Sequence, residues 1–213
     1  MDTSRTSDIG ISELLALAVE RAAPVVRAVP DDRLGDPTPC ADYDVRALVN
    51  HLFHVVVQFQ ELAAKRNADF SESPDYIGEG GEGGEGAAGG DWRERLLAEA
   101  EKLVRAWGEP GAEEGTTGAM DMPAGTVGCM VLLDLTVHAW DLARATGQEY
   151  RPDAGSGALV ARLREAVAGL GPTARKMGVF GEPVTVPEAV PGQARDFELL
   201  LAETGRDPRW GRD

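Results

Sequence analysis

Val127-Gly-Cys-Met-Val-Leu-Leu-Asp-Leu-Thr-Val-His-Ala-Trp-Asp-Leu-Ala-Arg-Ala145 is the stretch on which the fold turns. Its apolar residues do not keep to one side. Met130, Leu132, Leu133, Leu135, Val137, Trp140 and Leu142 surround the axis, the pattern of a helix buried nearly all round. Val127, Val131, Asp134, His138, Asp141 and Ala145 follow at steps of three and four and share one stripe. A carboxylate such as Asp134 inside this helix carries a large desolvation penalty unless something compensates it. His51 and His54 repeat the anomaly among Leu48, Leu52, Phe53, Val55 and Val56. The three histidines of the protein therefore all lie in its two most apolar helices.

Outward from this helix, the chain reads as helical. Ile11, Leu14, Leu15, Leu17, Ala18, Ala22, Val25 and Val26 keep a period near 3.6, which predicts a helix over 9–28, ended by Pro30. A second helix should start near Asp42 as N-cap, with Asp44 beside the positive end of its dipole, and run to Ala63. A third is expected from Trp92 to Trp107, stopped by Gly108-Glu-Pro110. The fourth, Val127 to Ala145, has Gly147 as a natural C′ residue. A fifth over 154–168 should break at Gly169, Gly171 and Pro172, and a short helix fits 193–204. With no repeat and no alternating strand pattern, the class is all-α.

Between the second and third helices lies Gly78-Glu-Gly-Gly-Glu-Gly-Gly-Glu-Gly-Ala-Ala-Gly-Gly90. Glycine this dense has no apolar surface to bury and much entropy to lose on ordering, so it reads as a mobile crossover. A phosphate-binding loop would need a preceding strand, and the glutamates here would repel phosphate. A long crossover makes helices two and four antiparallel. The heights agree with that. His51 lies ~13 Å from the start of its helix and His138 ~12 Å from the end of its own, at 1.5 Å per residue.

Composition narrows the function classes. Among 213 residues, 36 acidic against 21 basic give a net charge of −15, which argues against nonspecific nucleic-acid binding and against an anionic membrane surface. No run approaches the ~20 apolar residues of a membrane span, and the polar N-terminus leads into no signal-like apolar segment. A cytoplasmic protein is expected. Two cysteines, Cys40 and Cys129, make no disulfide framework, and Cys40 reads as inert although it sits just before a helix N-terminus.

A divalent cation would explain the misplaced polar residues together. An Asp and a His four residues apart reach a common point, and a His from a facing helix completes a three-ligand site in a bundle core. Two imidazoles and one carboxylate suit Zn²⁺ with an open position, and also Fe²⁺ or Ni²⁺. The plainer reading keeps some of these histidines as satisfied core residues. His54 is assigned to the core or to orienting a ligand. Asp141 either pairs with Arg144 or accepts from the far nitrogen of His138.

Three motifs carry a family resemblance. Thr38-Pro-Cys-Ala-Asp-Tyr-Asp-Val-Arg-Ala-Leu-Val-Asn-His51 resembles the opening of helix two in the mycothiol-dependent maleylpyruvate isomerase family, part of the DinB-like metal-binding superfamily. Asp134-x-x-x-His138-x-x-Asp-Leu142 is similar to that family's second metal motif. Leu199-Leu-Leu-Ala-Glu-Thr-Gly-Arg-Asp-Pro-Arg-Trp210 looks like the ending of a shorter actinobacterial-type branch described mostly as metal-binding. The resemblance implies a DinB-like four-helix bundle, up-down-down-up, with an extra C-terminal helix and an irregular tail. Residues 1–176 would form the bundle, with 70–90 as crossover, and 177–213 an extension packed on it. It further implies a divalent metal, zinc first and nickel or iron as alternatives, held by His51, Asp134 and His138. His54 and Asp141 would support the ligands.

Asp134 replaces the isomerase's glutamate and is one methylene shorter, and Tyr43 stands where the signature usually has tryptophan. The isomerase's C-terminal domain, which helps bind the thiol, is not expected in full, so maleylpyruvate isomerisation itself is not carried over. The expected function is a metal-dependent transferase or isomerase joining mycothiol, or another low-molecular-weight thiol, to a small electrophile. The rivals are hydrolysis or lysis by a metal-bound hydroxide and a non-catalytic small-molecule binder. A homodimer is compatible with the family.

Overall fold

In the computed structural model, residues 9–71, 74–78, 91–154, 157–186 and 193–211 are described. Most of the glycine-rich crossover, from residue 79 to 90, lies outside them. The helices among the described residues are α1 (Ile11–Arg27), α2 (Val45–Ala63), α3 (Trp92–Trp107), α4 (Ala124–Ala145), α5 (Ala158–Lys176) and α6 (Gln193–Glu203). Two short antiparallel strands, β1 (Thr116–Thr117) and β2 (Met122–Pro123), lead into α4, which opens three residues earlier than its apolar run suggests.

Contacts along the helices give their directions. Ile11 of α1 packs on Gly128 of α4, and at the other end Gln148, just past α4, donates to the Val25 carbonyl of α1 at 3.1 Å, so α1 and α4 are parallel. Ser12 Oγ donates to the Val104 carbonyl at 2.9 Å while Arg27 pairs with Glu94 at 2.8 Å, so α3 runs against α1. Arg95 lies over Phe53 and Gln60 donates to Glu99, which makes α2 and α3 parallel. Thr117, before α4, donates to the Leu62 carbonyl at the end of α2 at 2.6 Å, so α2 and α4 are antiparallel. The bundle is up-down-down-up, and parallel α2 and α3 require a connection as long as the bundle itself.

Several local signals differ from the sequence reading. Asp44, not Asp42, caps α2, its Oδ1 accepting from Ala47 N–H at 2.8 Å. Residues before it are taken up by a turn in which Thr38 Oγ1 donates to the Tyr43 carbonyl at 2.7 Å and Val45 N–H reaches the Asp36 carbonyl. α5 does not break at Gly169, Gly171 or Pro172 and runs to Lys176. Its stop is Gly178 at φ +74°, where Gly178 and Val179 N–H close back on the Arg175 and Ala174 carbonyls. A completed terminal cap and packing on α4 and α6 offset the one hydrogen bond a proline removes.

α4 is the axis of the molecule. It is long and apolar enough to cross a membrane by length and composition, contrary to the residue count above. Most of it is buried against α1, α2 and α5, however, which is the position of a core helix. Gly128 permits the closest approach: a Cβ there would lie 2.9 Å from Ile11 and 3.0 Å from Trp107. Leu132, Leu142, Leu48, Leu15, Leu103 and Leu163 are fully buried around it.

Candidate metal centre

The antiparallel seam between α2 and α4 brings His51 level with Asp134 and His138. Asp134 Oδ1 lies 3.4 Å from His138 Nε2 and 3.7 Å from His51 Nε2, and the three donor atoms all fall within 4.8 Å of one another. A tetrahedral cation held at zinc–nitrogen and zinc–oxygen lengths separates its ligand atoms by ~3.3 Å, so this set needs only small adjustment to accept one. His51 Nε2 is shielded from solvent and has no hydrogen-bond partner. A buried ring nitrogen so placed is costly unless it is used. The donor set therefore fits a divalent ion.

The surroundings fix the rings. His138 Nδ1–H donates to Asp141 Oδ2 at 2.8 Å, which leaves Nε2 as the lone-pair side facing Asp134. Tyr43 stacks on His51 with ring centroids 5.0 Å apart, and its hydroxyl lies 3.3 Å from His51 Nδ1. The two imidazoles meet edge to face at 5.0 Å.

Burial acts to raise the Asp134 carboxyl pKa, but the two neighbouring imidazoles outweigh it and hold the group far below the usual carboxylate range. For His138, burial acts to lower the pKa, and the carboxylates of Asp134 and Asp141 reverse the sign and raise it.

The sequence reading placed its buried carboxylate at Asp134. The Asp134 side chain is in fact 32% exposed, while that of Asp141 is 0% exposed. Arg144, offered as one partner for Asp141, instead donates through Nε to the Trp210 carbonyl at 3.0 Å, and it is Arg206 that reaches Asp141. His54 is not brought to the cluster. Its Nδ1 lies 3.2 Å from the Tyr76 hydroxyl and its ring meets Phe70 edge-on at 5.6 Å, so it belongs to the packing of the segment after α2. Two neighbours were not read from the sequence. Cys40 Sγ lies within 4.8 Å of ligand atoms of His138 and Asp141, its thiol pKa pushed up by burial with Arg206 opposing. Arg206 comes from the tail, 65 residues beyond Asp141, and no spacing rule connects the two.

A four-helix bundle carrying two imidazoles and a carboxylate on an antiparallel helix pair is a bundle with a candidate divalent-metal centre. The chain belongs to the mycothiol maleylpyruvate isomerase N-terminal domain family, whose model matches residues 15–143 and so spans His51, Asp134, His138 and Asp141. Two uncharacterized proteins of Mycobacterium tuberculosis, from strains CDC 1551 / Oshkosh and ATCC 25618 / H37Rv, are each 30% identical over 199 residues. That alignment covers 90% of this chain and 95% of theirs. No solved structure gives a significant match.

Proposed function

We propose that the protein is a divalent-metal enzyme that joins a low-molecular-weight thiol, mycothiol in class, to a small electrophilic metabolite, as a transferase or isomerase. One observation carries the reading: His51 Nε2, Asp134 Oδ1 and His138 Nε2 converge within 4.8 Å, and His51 Nε2 has no hydrogen-bond partner. Membership of a mycothiol-linked family supports the choice of thiol. These three residues would hold the ion, with zinc favoured by two nitrogens and one oxygen and nickel or iron admitted by the same set. When bound, the cation supplies Lewis acidity, which lets a thiol at the open position lose its proton near neutral pH.

The chain's own residues do the rest. Asp141 accepts the Nδ1 proton of His138 and so keeps Nε2 free to ligate. Tyr43 stacks on the His51 ring and holds its outer nitrogen. Partial exposure of His51 and Asp134 leaves their side of the cluster open to a small molecule, while His138 and Asp141 close the other side.

The test is elemental analysis of the purified full-length protein, followed by product formation from an aryl halide with and without added mycothiol-type thiol. About one zinc per chain and thiol-dependent product are expected. Zinc-dependent turnover without thiol would replace the reading with metal-assisted hydrolysis, and ligand-induced stabilisation without turnover would make the protein a binder.

A further inference from the structure

Beyond α4, the tail returns to the candidate site. α6 is stopped just past Glu203 by Gly205, φ +87°, where Gly205 and Arg206 N–H close on the Ala202 and Leu201 carbonyls. The position tolerates only glycine for a second reason: a Cβ would lie 2.6 Å from the Gly181 Cα. This turn sends the Arg206 side chain back under α4. Arg206 is 9% exposed; its Nη1 donates to the Thr204 carbonyl at 3.1 Å and its Nη2 to Asp141 Oδ2 at 3.3 Å. The same oxygen accepts from His138 Nδ1. Four residues on, the Trp210 carbonyl accepts from Arg144 of α4, so the tail is tied to α4 a second time, beyond Arg206.

Resting on the metal reading above, we propose that Arg206 is a positioning residue of that centre, the outermost link of an Arg206–Asp141–His138 chain that makes the C-terminal extension part of the site. The physical need lies at Asp141. Its side chain is 0% exposed, and a carboxylate removed from water requires a positive or strongly donating partner. A neutral imidazole N–H supplies one donor only, and Arg206 supplies the charge. By pinning Oδ2 from the far side, Arg206 fixes where the Nδ1 proton must point and therefore where His138 Nε2 points. The grip is single-pronged, since Arg206 Nε and Asp141 Oδ1 have no hydrogen-bond partner. A lysine able to reach Oδ2 should therefore replace much of it. Outer partners of ligating histidines act on metal affinity in this way. By reciprocity, a bound ion should in turn hold the tail in place.

The experiment is zinc affinity of the full chain by chelator competition for the wild type, R206M, R206K, D141N and D141N/R206M. Zinc binding should weaken by about tenfold to a hundredfold in D141N and by about tenfold in R206M, and recover to within about threefold in R206K. The double variant should bind no more weakly than D141N, because Arg206 acts through Asp141. Unchanged affinity in R206M, or a double variant showing the product of the two single losses, overturns the inference while leaving the metal reading intact. A wild type that binds no zinc overturns both. Should R206M fail to fold, hydrogen exchange on the wild type decides: zinc should slow amide exchange at residues 204–206, and equal exchange with and without zinc rejects the link.

Discussion

His51 and His54 stand one turn apart on the same helix, and each has a buried Nε2 with no hydrogen-bond partner. Their surroundings differ entirely. His51 faces α4 and meets a carboxylate, a second imidazole and the Tyr43 ring. His54 faces the segment that follows α2 and meets the Tyr76 hydroxyl and the Phe70 ring. Three residues along a helix leave a side chain ~60° off its starting direction, enough at the edge of a helix face to hand it to a different neighbour. An unpartnered ring nitrogen is therefore not by itself a ligand. What distinguishes His51 is a convergence of other donors, which only the facing helix can supply.

The contrast can be broken most directly at the ligands. H51A or H138A should drop zinc from about one per chain to background by mass spectrometry. Either should also abolish the zinc-dependent rise in melting temperature, which for the wild type corresponds to about 4 kcal/mol at a thousandfold excess over Kd. Next in size, D134N keeps the shape of the side chain but loses its anionic oxygen. Chelator competition should show affinity lower by more than about a hundredfold, beyond what an outer partner costs. D134E, which restores the carboxylate found in the isomerase, should retain zinc.

A smaller effect carries a sign. The raised pKa of His138 means that the folded, metal-free protein holds this proton more tightly than the unfolded chain does. That contribution is complete below pH about 6.5 and is lost as pH rises through the folded value. Zinc requires the neutral ring, so its stabilisation runs the other way. The gap in melting temperature between zinc-loaded and chelator-treated protein should widen from about pH 5.5 to about pH 8. A gap that stays constant, or narrows, would remove His138 from the ligand set. Smallest of all is the effect of H54A on zinc: affinity should stay within about twofold, while stability falls by about 1–3 kcal/mol through a cavity and a lost partner for Tyr76. Zinc loss in H54A would erase the distinction between the two histidines.

Much of this was legible in the chain. Asp134 and His138 share a stripe because helical periodicity is local, and the level of His51 followed from rise per residue once the helices were taken as antiparallel. Less local features were not. Asp134 was expected to be the costly buried carboxylate, yet Asp141 is the enclosed one, because the turn before α2, through Cys40, and the tail, through Arg206, reach that side of α4. The break expected at Pro172 failed because the terminal cap at Gly178 and packing on neighbouring helices outweigh one missing hydrogen bond. Arg206 left no trace beyond its place in a tail motif, since a contact across 65 residues has no period.

By itself the sequence determined the four rods, their apolar faces and the presence of ionisable groups where water is excluded. Those properties depend on residues a few positions apart. The tertiary structure decided which histidine meets the carboxylate, which aspartate lies deepest and which arginine compensates it. Those are distances between segments far apart in the chain, and packing alone sets them.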